Sequence, residues 1–249
     1  MNIFVINLKS DISRRKNIQD QADSLGLDIE FIDAVIGNDI SDKTLFEYIH
    51  DYPNCKLTKG EIGCAFSHLL IYKKIINENI THALILEDDA IIGNNIHLAL
   101  NEVACIDQYK KPNIYLLSKP HSYIENKKLK SIVFDIHPIQ DACGAHGYII
   151  NNLAAKKMIQ RMNPLKWECD MWGEFKFQKI VNIFCILPTI IHDGDNKKDS
   201  STLEDERSVI QHERSKYRSI LRKKEPYYQL RRIQNNILKK IIYKIKRLH

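Results

Sequence analysis

The sequence predicts an α/β fold, in which a mixed, mostly parallel sheet is flanked by helices and followed by a basic amphipathic helical tail. Residues 2–32 follow the order strand, helix, strand, which is typical of a βαβ unit in a parallel sheet. Residues 83–86 form a short apolar run that is typical of a buried strand. Residues 230–248 place apolar side chains at i, i+3 and i+4 spacing among lysines and arginines, which indicates an amphipathic helix.

The charge of the chain is unevenly distributed. Its 249 residues carry a net charge of +6. Residues 214–249 contain 13 Lys or Arg and one acid, so this segment carries +12 and the rest of the chain carries −6. We therefore predict an acidic globular domain over residues 1–203 and a basic tail over residues 204–249. An acidic body argues against nucleic-acid binding by the domain as a whole.

The segment pattern predicts a location in the cytoplasm. The N-terminus has the pattern of a first strand and lacks the basic and apolar regions of a signal peptide. No apolar stretch reaches the ~18 residues that a transmembrane helix needs. The six cysteines are scattered without the short spacings of metal-binding motifs, which favours reduced thiols.

The first helix directly follows the first strand and carries two basic residues in its first turn. The strand covers residues 2–8, Ser13 is placed to cap a helix that begins near Arg14, and Gly26 is placed to end it. Cations oppose the helix dipole at this position, and an anionic ligand would offset that cost. Solvated surface is the alternative interpretation of Arg14 and Arg15.

A capping box predicts the start of the next long helix. Thr58 and Glu61 have the spacing in which each side chain accepts a hydrogen bond from the other's backbone. Ser67 and His68 lie in the middle of this helix, where polar side chains face either a ligand or a buried partner. Both interpretations remain open at the level of the sequence.

Three consecutive acids, Glu87, Asp88 and Asp89, follow the apolar run at residues 83–86. Ligands of open α/β sheets bind at the carboxyl ends of the strands. Adjacent carboxylates repel one another unless a cation lies among them, and a divalent metal ion bound to phosphate is the usual cation. The alternative is a solvated turn in which Asp88 or Asp89 caps the next helix.

Both tryptophans of the chain lie between acids in residues 167–174. Tryptophan faces stack on flat apolar surfaces, including those of sugar rings. A carboxylate beside them, such as Asp170 or Glu174, would be placed to act as a general base toward a sugar hydroxyl. The alternative is a half-buried helix whose indoles belong to the core and whose acids face water.

The tail has the pattern of a segment that lies on an anionic membrane. Its apolar positions share one face, and basic residues cover the remaining surface. Tyr227 and Tyr228 are candidates for interfacial anchors. A helix docked on a partner and a nucleic-acid-binding tail are the alternatives. The apolar positions are Leu230, Ile233, Ile237, Ile241, Ile245 and Leu248.

These motifs, in this order, resemble those of glycosyltransferase family 25, which includes bacterial lipooligosaccharide glycosyltransferases. The longest of them, at residues 57–68, is the most specific, and the acids follow it at the expected distance. The resemblance extends to about residue 203 and does not include the tail. The matching stretches are residues 6–8, 14–15, 57–68, 84–89, 144–148 and 154–156, together with Asp170 and the segment 188–201.

The resemblance implies a GT-A-like, Rossmann-type fold and transfer of a hexose, galactose or glucose, from a UDP-sugar to a lipooligosaccharide acceptor, with inversion. Mn²⁺ or Mg²⁺ would bind the diphosphate, and an imidazole ligand favours Mn²⁺. The predicted metal ligands are Glu87, Asp89 and His192. The predicted donor-binding residues are Asn7, Arg14, Arg15, Ser67, His68 and Asp88. The predicted base is Asp170, with Glu174 as the second candidate.

The expected location is the inner face of a bacterial cytoplasmic membrane, with the tail on anionic lipid and no nucleic acid bound. Two other functions are compatible with the sequence. A non-catalytic protein would use the basic tail to bind a partner or nucleic acid, with salt-dependent affinity in the latter case. A glycosidase would use Glu87 with Asp88, or Asp170 with Glu174, as paired carboxylates.

Overall fold

A nine-stranded sheet lies at the centre of the computed structural model, which describes residues 1–107, 110–194 and 202–248. The elements of the first part of the chain are β1 (Asn2–Asn7), α1 (Ile12–Leu25), β2 (Glu30–Asp33), α2 (Asp42–Tyr48), α3 (Lys59–Asn77), β3 (His82–Glu87), β4 (Ala90–Ile92) and α4 (Ile96–Ile106). Those that follow are β5 (Asn113–Leu116), β6 (Ser122–Ile124), β7 (Asp135–Asp141), β8 (Gly147–Asn151), α5 (Asn152–Arg161), α6 (Trp172–Phe177), β9 (Asn182–Leu187), β10 (Ile191–Asp193), α7 (Thr202–Lys224), α8 (Tyr228–Ile237) and β11 (Ile245–Arg247).

The strand order is β11-β6-β7-β9-β5-β8-β3-β1-β2, and β4 pairs separately with β10. Among the described strands of the large sheet, β1, β2, β3, β5, β6 and β9 run in one direction, whereas β7, β8 and β11 run in the other. Because most of these strands share one direction, the prediction of a mixed, mostly parallel sheet is confirmed. Antiparallel neighbours nevertheless outnumber parallel ones, because β7 and β8 each lie between two strands of opposite direction.

β3 is buried on both faces of the sheet, which explains its continuous apolar sequence. Leu84 and Leu86 pack against α1 and α4 on one face. Ala83 and Ile85 pack against α3 and α5 on the other face, because alternate residues of a strand point to opposite sides. The predicted buried strand is confirmed, and its carboxyl end carries Glu87 to the edge of the sheet.

α1 begins earlier than predicted because Asp11, and not Ser13, caps it. The Asp11 side chain accepts a hydrogen bond from the backbone N of Arg14 at 3.0 Å. Ser13 instead donates its hydroxyl to Asp11. Gly26 ends the helix as predicted, with a φ of +64° in the left-handed region that favours glycine.

α3 begins with the predicted capping box and is joined there to α7. Thr58 and Glu61 exchange the two expected side chain to backbone hydrogen bonds. The Glu61 carboxylate also accepts hydrogen bonds from both terminal nitrogens of Arg214, each at 2.7 Å. Glu61 and Arg214 are buried, so this bidentate ion pair lies inside the protein.

α7 packs against the sheet domain and is not part of a free tail. Besides Arg214, two further arginines of this helix, Arg218 and Arg222, form ion pairs with Glu168 and Glu174 of the body. The segment after residue 203 was predicted to be a separate tail, but its residues 214–222 are attached to the domain by these ion pairs.

The prediction of one amphipathic helix that extends to residue 248 is wrong at its C-terminal end. α8 ends at Ile237, a π-helical turn follows over Leu238–Ile242, and β11 then pairs antiparallel with β6. The β-branched Ile245 suits a short strand that covers an otherwise exposed sheet edge. The apolar side chains that remain exposed, as the amphipathic pattern predicts, include Leu230, Ile233, Ile237 and Ile241.

Candidate functional site

The three acids lie at the carboxyl end of β3, beside the end of β1 and the start of β8. β8 runs antiparallel to β3 and begins where β3 ends, because Gly147 is paired with Leu86. The backbone N of Glu87 donates a hydrogen bond to the carbonyl of His146 at 3.2 Å. Strand pairing thus brings a distant histidine to the acids.

Glu87, Asp89 and His146 form a group of possible metal ligands, with one ligand atom from each within 4.8 Å of the others. Nδ1 of His146 lies 3.3 Å from Oδ1 of Asp89 and 3.7 Å from Oε2 of Glu87. The hydrogen bond with Asp89 and the charges of Glu87 and Asp193 raise the pKa of His146 to about 9, although burial opposes this. Negative surroundings that attract a proton to this imidazole would also attract a divalent cation.

The turn that carries Asp89 is held in place by the end of β10. The backbone N of Gly194 donates to the carbonyl of Asp89 at 2.9 Å. A Cβ at Gly194 would lie 2.4 Å from that oxygen, so this close approach requires glycine. Burial opposes ionisation of the Asp89 side chain, but the hydrogen bond with His146 holds its pKa below the usual 3.8. Asp89 is therefore charged at neutral pH.

Asp88 points away from this group, toward β1 and α1. Its Oδ2 accepts a hydrogen bond from Nδ2 of Asn7 at 2.7 Å, and its Oδ1 lies 3.3 Å from Nη1 of Arg14. Burial raises the pKa of Asp88, and the bonds to Asn7 and Arg14 oppose that rise. Adjacent acids thus have different partners: Asp89 contacts the histidine, and Asp88 contacts the amide and the guanidinium.

Arg15 lies beside the same end of the sheet. Its guanidinium carbon is 3.9 Å from the centre of the Phe31 ring on β2, and its Nη1 is 3.5 Å from Oδ1 of Asn7. A cation over an aromatic face is held in orientation by the ring. The structure thus brings together Asn7, Arg14 and Asp88, three of the predicted donor-binding residues, with Arg15 beside them. Their role in donor binding stays a prediction.

Ser67 and His68 are both 0% exposed within α3. The Ser67 hydroxyl donates to the carbonyl of Gly63 and accepts from the backbone N of Val35, each at 2.8 Å. Nδ1 of His68 lies 2.7 Å from the hydroxyl of Tyr148. Of the two interpretations, the structure therefore supports the buried partner, and these side chains lie behind the acids instead of lining a donor pocket.

His192 lies on the exposed face of the β4–β10 pair. Its cross-strand partner is Ile91, whose side chain is also exposed, as expected because paired residues share a face of the sheet. The group that contains Glu87 and Asp89 is completed by His146. The structure therefore places His146, and not the predicted His192, beside the acids.

Both tryptophans belong to the core, since Trp167 is 2% exposed and Trp172 is 0% exposed. The predicted sugar-stacking platform is therefore wrong, and the alternative of core indoles is confirmed. That alternative also expected the neighbouring acids to face water, which does not hold for Glu174. Its Oε2 accepts from Arg222 at 2.7 Å and its Oε1 from Gln178 at 2.8 Å.

Asp170 is half-buried and contacts the segment that leads to His146. Its Oδ2 accepts a hydrogen bond from the backbone N of Gly144 at 3.0 Å. Nε1 of Trp172 donates to the carbonyl of the same glycine at 2.8 Å. Asp170 therefore lies beside the segment that leads to His146, whereas both oxygens of Glu174 are engaged by Arg222 and Gln178.

His146 and Asp193 were not among the predicted site residues. His146 is 57 positions from Asp89 in the sequence and reaches it only through the pairing of β8 with β3. The available signal was the run of small residues around it at 144–147, which indicates close backbone approach before an apolar strand. Asp193 follows His192 in β10, and its charge contributes to the raised pKa of His146.

Comparison with known proteins gives a match to the family model described as "Glycosyltransferase family 25 (LPS biosynthesis protein)" over residues 1–172. The chain belongs to glycosyltransferase family 25. The resemblance drawn from the motifs is therefore confirmed. The part of the chain that matches family 25 includes Asn7, the three acids, His146 and Asp170, and it ends before Glu174 and α7.

Three relatives in Haemophilus influenzae are similar to this chain, and two of them match more of it than the family model does. The "Lipooligosaccharide biosynthesis protein lex-1" is 27% identical and covers 95% of this chain and 90% of its own length. A "Putative glycosyltransferase" is 29% identical and covers 81% of this chain and 75% of its own length. The "Lipooligosaccharide biosynthesis protein lic2B" is 26% identical over 62% of this chain, which spans 61% of that relative.

Proposed function

We propose that this family 25 member is an inverting, metal-dependent glycosyltransferase that transfers galactose or glucose from a UDP-sugar to a lipooligosaccharide acceptor. The observation that carries the proposal is the convergence of Glu87, Asp89 and His146 at the carboxyl edge of the sheet. Negative charge develops on a departing nucleoside diphosphate, and a bound divalent cation stabilises it. Family membership supports sugar transfer, and the names of the relatives support the acceptor class.

The ligand atoms of this group fit a divalent metal ion. Two carboxylates and one imidazole offer oxygen and nitrogen ligands, and imidazole suits Mn²⁺ better than Mg²⁺. Glu87, Asp89 and His146 would hold the ion, which would supply Lewis-acid stabilisation of the diphosphate. We therefore propose Mn²⁺ as the cofactor, with Mg²⁺ as the alternative.

We assign donor binding to Asn7, Arg14, Arg15 and Asp88. Arg14 is 38% exposed and lies in the first turn of α1, where the helix dipole favours an anion. Its contact with Asp88 and the hydrogen bond from Asn7 to Asp88 hold the three side chains in a fixed arrangement. A guanidinium held in this way is well suited to a phosphate oxygen.

We assign the general base to Asp170. Inversion requires a base on the side of the sugar opposite to the leaving group, where it accepts the proton of the acceptor hydroxyl. Asp170 is half-buried and lies beside the segment of Gly144 that leads to His146. Glu174 is the weaker candidate because Arg222 and Gln178 already occupy both of its oxygens.

We propose that the enzyme acts at the inner face of a bacterial cytoplasmic membrane, with α8 and the following turn on anionic lipid. This surface combines exposed apolar side chains with lysines and arginines, which is the composition of interfacial segments. Within the described parts of the chain, no helix is both long enough and apolar enough to cross a bilayer.

A screen of four UDP-sugars tests the proposed function. UDP-galactose, UDP-glucose, UDP-N-acetylglucosamine and UDP-N-acetylgalactosamine are each incubated with truncated lipooligosaccharide, and UDP release and sugar transfer are measured. We expect transfer from UDP-galactose or UDP-glucose, a β linkage in the product, loss of transfer in EDTA and recovery with Mn²⁺.

Two outcomes would contradict this proposal. Full transfer in EDTA would exclude the metal assignment. Cleavage of a glycoside without nucleotide or metal would indicate a glycosidase with paired carboxylates.

A further inference from the structure

Behind the acids, a second group of ligand atoms combines two thiols with an imidazole. Sγ of Cys64 and Sγ of Cys169 lie 3.5 Å apart, and together with a ring nitrogen of His68 they lie within 4.8 Å of one another. Cys64 and His68 are separated by four positions on α3, so their side chains share one face of the helix. Cys169 comes from the segment before α6 and closes the group from the other side.

His68 is oriented as a metal-binding histidine would be. Its Nδ1 lies 2.7 Å from the hydroxyl of Tyr148, which in turn lies 2.7 Å from the hydroxyl of Tyr72. Ligating histidines usually bond an oxygen through the second ring nitrogen, which fixes the ring and its tautomer. Nε2 of His68 is fully buried and has no hydrogen-bond partner among the described residues.

Glu87 lies beside this group, within 4 Å of two of its three members. Its Oε1 lies 3.5 Å from Nε2 of His68 and 3.9 Å from Sγ of Cys64. Two thiolates at about 2.3 Å from a tetrahedral zinc ion lie about 3.8 Å apart. The sulfur atoms of Cys64 and Cys169 are 3.5 Å apart, so a small movement would admit the ion.

We propose that Cys64, His68, Cys169 and Glu87 form a site for a thiophilic divalent cation, of which Zn²⁺ is the expected member. Sulfur ligands select zinc over manganese and magnesium, which prefer oxygen. Binding releases the thiol protons to solvent and leaves two thiolates on the metal. The site lies on the α3 side of the sheet and shares only Glu87 with the group of Glu87, Asp89 and His146.

The two sites share one residue, because the oxygens of Glu87 face different groups. Oε1 faces His68 at 3.5 Å, and Oε2 faces His146 at 3.7 Å. A cation at the thiol site would therefore fix the rotamer of Glu87 and orient its second oxygen. The cation would position the acid cluster without contacting the donor.

Metal content of the full-length protein tests this site without reference to sugar transfer. The protein is purified under a non-chelating reductant, and zinc is measured by mass spectrometry after dialysis against excess Mg²⁺. We expect about one zinc ion per chain that resists this exchange. After zinc is removed, Co²⁺ titration of the unaltered protein should give the intense visible bands of a tetrahedral site and a thiolate charge-transfer band.

Matched variants locate the ion. Cys64→Ser and Cys169→Ser should lose the bound zinc and the charge-transfer band. Cys55→Ser removes a buried thiol outside the group and should retain both. Asp89→Asn, which alters the other group, should also retain zinc.

Three results would overturn the thiol site. One is unaltered protein that holds no zinc and gives no thiolate–cobalt band. Another is a Cys64–Cys169 disulfide as the native state of the pair, shown by peptide mapping. The third is retention of zinc by both serine variants. Each of these results leaves the UDP-sugar proposal standing, so the failures of the two proposals are distinguishable.

Discussion

At the scale of single residues, the adjacent acids Asp88 and Asp89 have different contacts and should have different effects when neutralised. Asp89 contacts His146 in the group proposed to bind the metal, and Asp88 bonds Asn7 and Arg14. We expect Asp89→Ala to lower kcat at least about 10²-fold, because charge stabilisation is lost in the transition state. The measurement is Mn²⁺-dependent UDP release together with Mn²⁺ binding by calorimetry.

Asp88→Asn is the matched comparison for that variant. It should retain Mn²⁺ binding and raise KM for the donor, since it disturbs the side chains proposed to bind the donor and not the proposed metal ligands. Equal loss of Mn²⁺ binding in both variants would contradict the division of roles. A circular dichroism spectrum identical to that of the unaltered protein is required of each.

Asp170 and Glu174, the two candidates for the general base, should also differ in their response to substitution. Asp170→Asn should lower kcat by about 10²- to 10⁴-fold, the usual contribution of a general base, with little change in UDP affinity. Glu174→Gln should mainly lower thermal stability, because Arg222 then loses the charge of its partner. A near-normal rate in Asp170→Asn, measured at saturating donor, would exclude it as the base.

Site residues were predictable where their signal was local. Glu87, Asp88 and Asp89 are contiguous and follow an apolar strand, so their place at the sheet edge follows from the sequence. His146 depends on the antiparallel pairing of β8, which no local pattern encodes. The residue types in the tryptophan segment are compatible with a core and with a sugar platform, and only burial decides between them.

At the scale of elements, the attachment of α7 depends on a buried ion pair. Arg214 bonds both oxygens of Glu61, and removal of one partner leaves the other as an uncompensated buried charge. We expect Arg214→Ala to lower the free energy of unfolding by about 3–5 kcal/mol. Urea denaturation measures this change.

Lys216→Ala is the control for that prediction. It removes the same charge from an exposed position two residues away on the same helix. Exposed positions of this kind change stability by less than about 0.5 kcal/mol. Equal effects of the two substitutions would show that α7 contributes only net charge.

A second prediction at this scale concerns the carboxylate that joins α4 to the sheet. Asp107 accepts hydrogen bonds from His82, Asn113, Tyr115 and Asn151 at 2.7 to 2.9 Å. Burial opposes ionisation of Asp107, but these bonds, led by that from His82, hold its pKa below the usual 3.8.

Stability should therefore depend on the charge of Asp107. Because its pKa is lower in the folded state than in the unfolded state, its contribution is fully present above pH 3.8 and is lost as pH falls through the folded pKa. Asp107→Asn should reduce this acid dependence in denaturation curves measured from neutral pH downward. An unchanged pH profile would contradict this role.

Helices and strands were predictable from the sequence where a periodic pattern determines them. They were not predictable where pairing with a distant strand determines them. The βαβ unit, β3 and the capping box of α3 follow from spacing and turn chemistry. β11 was predicted as helix because Ile241, Ile245 and Leu248 keep helical spacing. Residues 245–247 form a strand and not a helix, because the backbone groups at the edge of β6 gain hydrogen bonds from them.

At the scale of the whole molecule, the basic apolar surface of α8 should govern attachment to lipid. The variant Leu230→Ser, Ile233→Ser, Ile237→Ser keeps every charge and removes exposed apolar area. We expect about a tenfold or greater loss of binding to anionic vesicles in a sedimentation assay. Leu98→Ser, which alters an exposed apolar residue of α4, is the control and should bind normally.

Salt distinguishes the electrostatic contribution to vesicle binding from the apolar contribution. Added salt should weaken attachment of the unaltered protein, because its lysines and arginines act through screened charge. Vesicle binding by the triple variant equal to that of the unaltered protein would exclude the membrane proposal for this surface.

The ion pairs of α7 also limit how members of this family can be recombined. Glu61 and Glu168 lie within the part of the chain that matches the family model, whereas Arg214 and Arg218 lie beyond it. A chimera that exchanges only the C-terminal segment with a relative would inherit buried acids from one parent and their counter-ions from the other. Chimeras of this kind should therefore transfer both halves of each pair together.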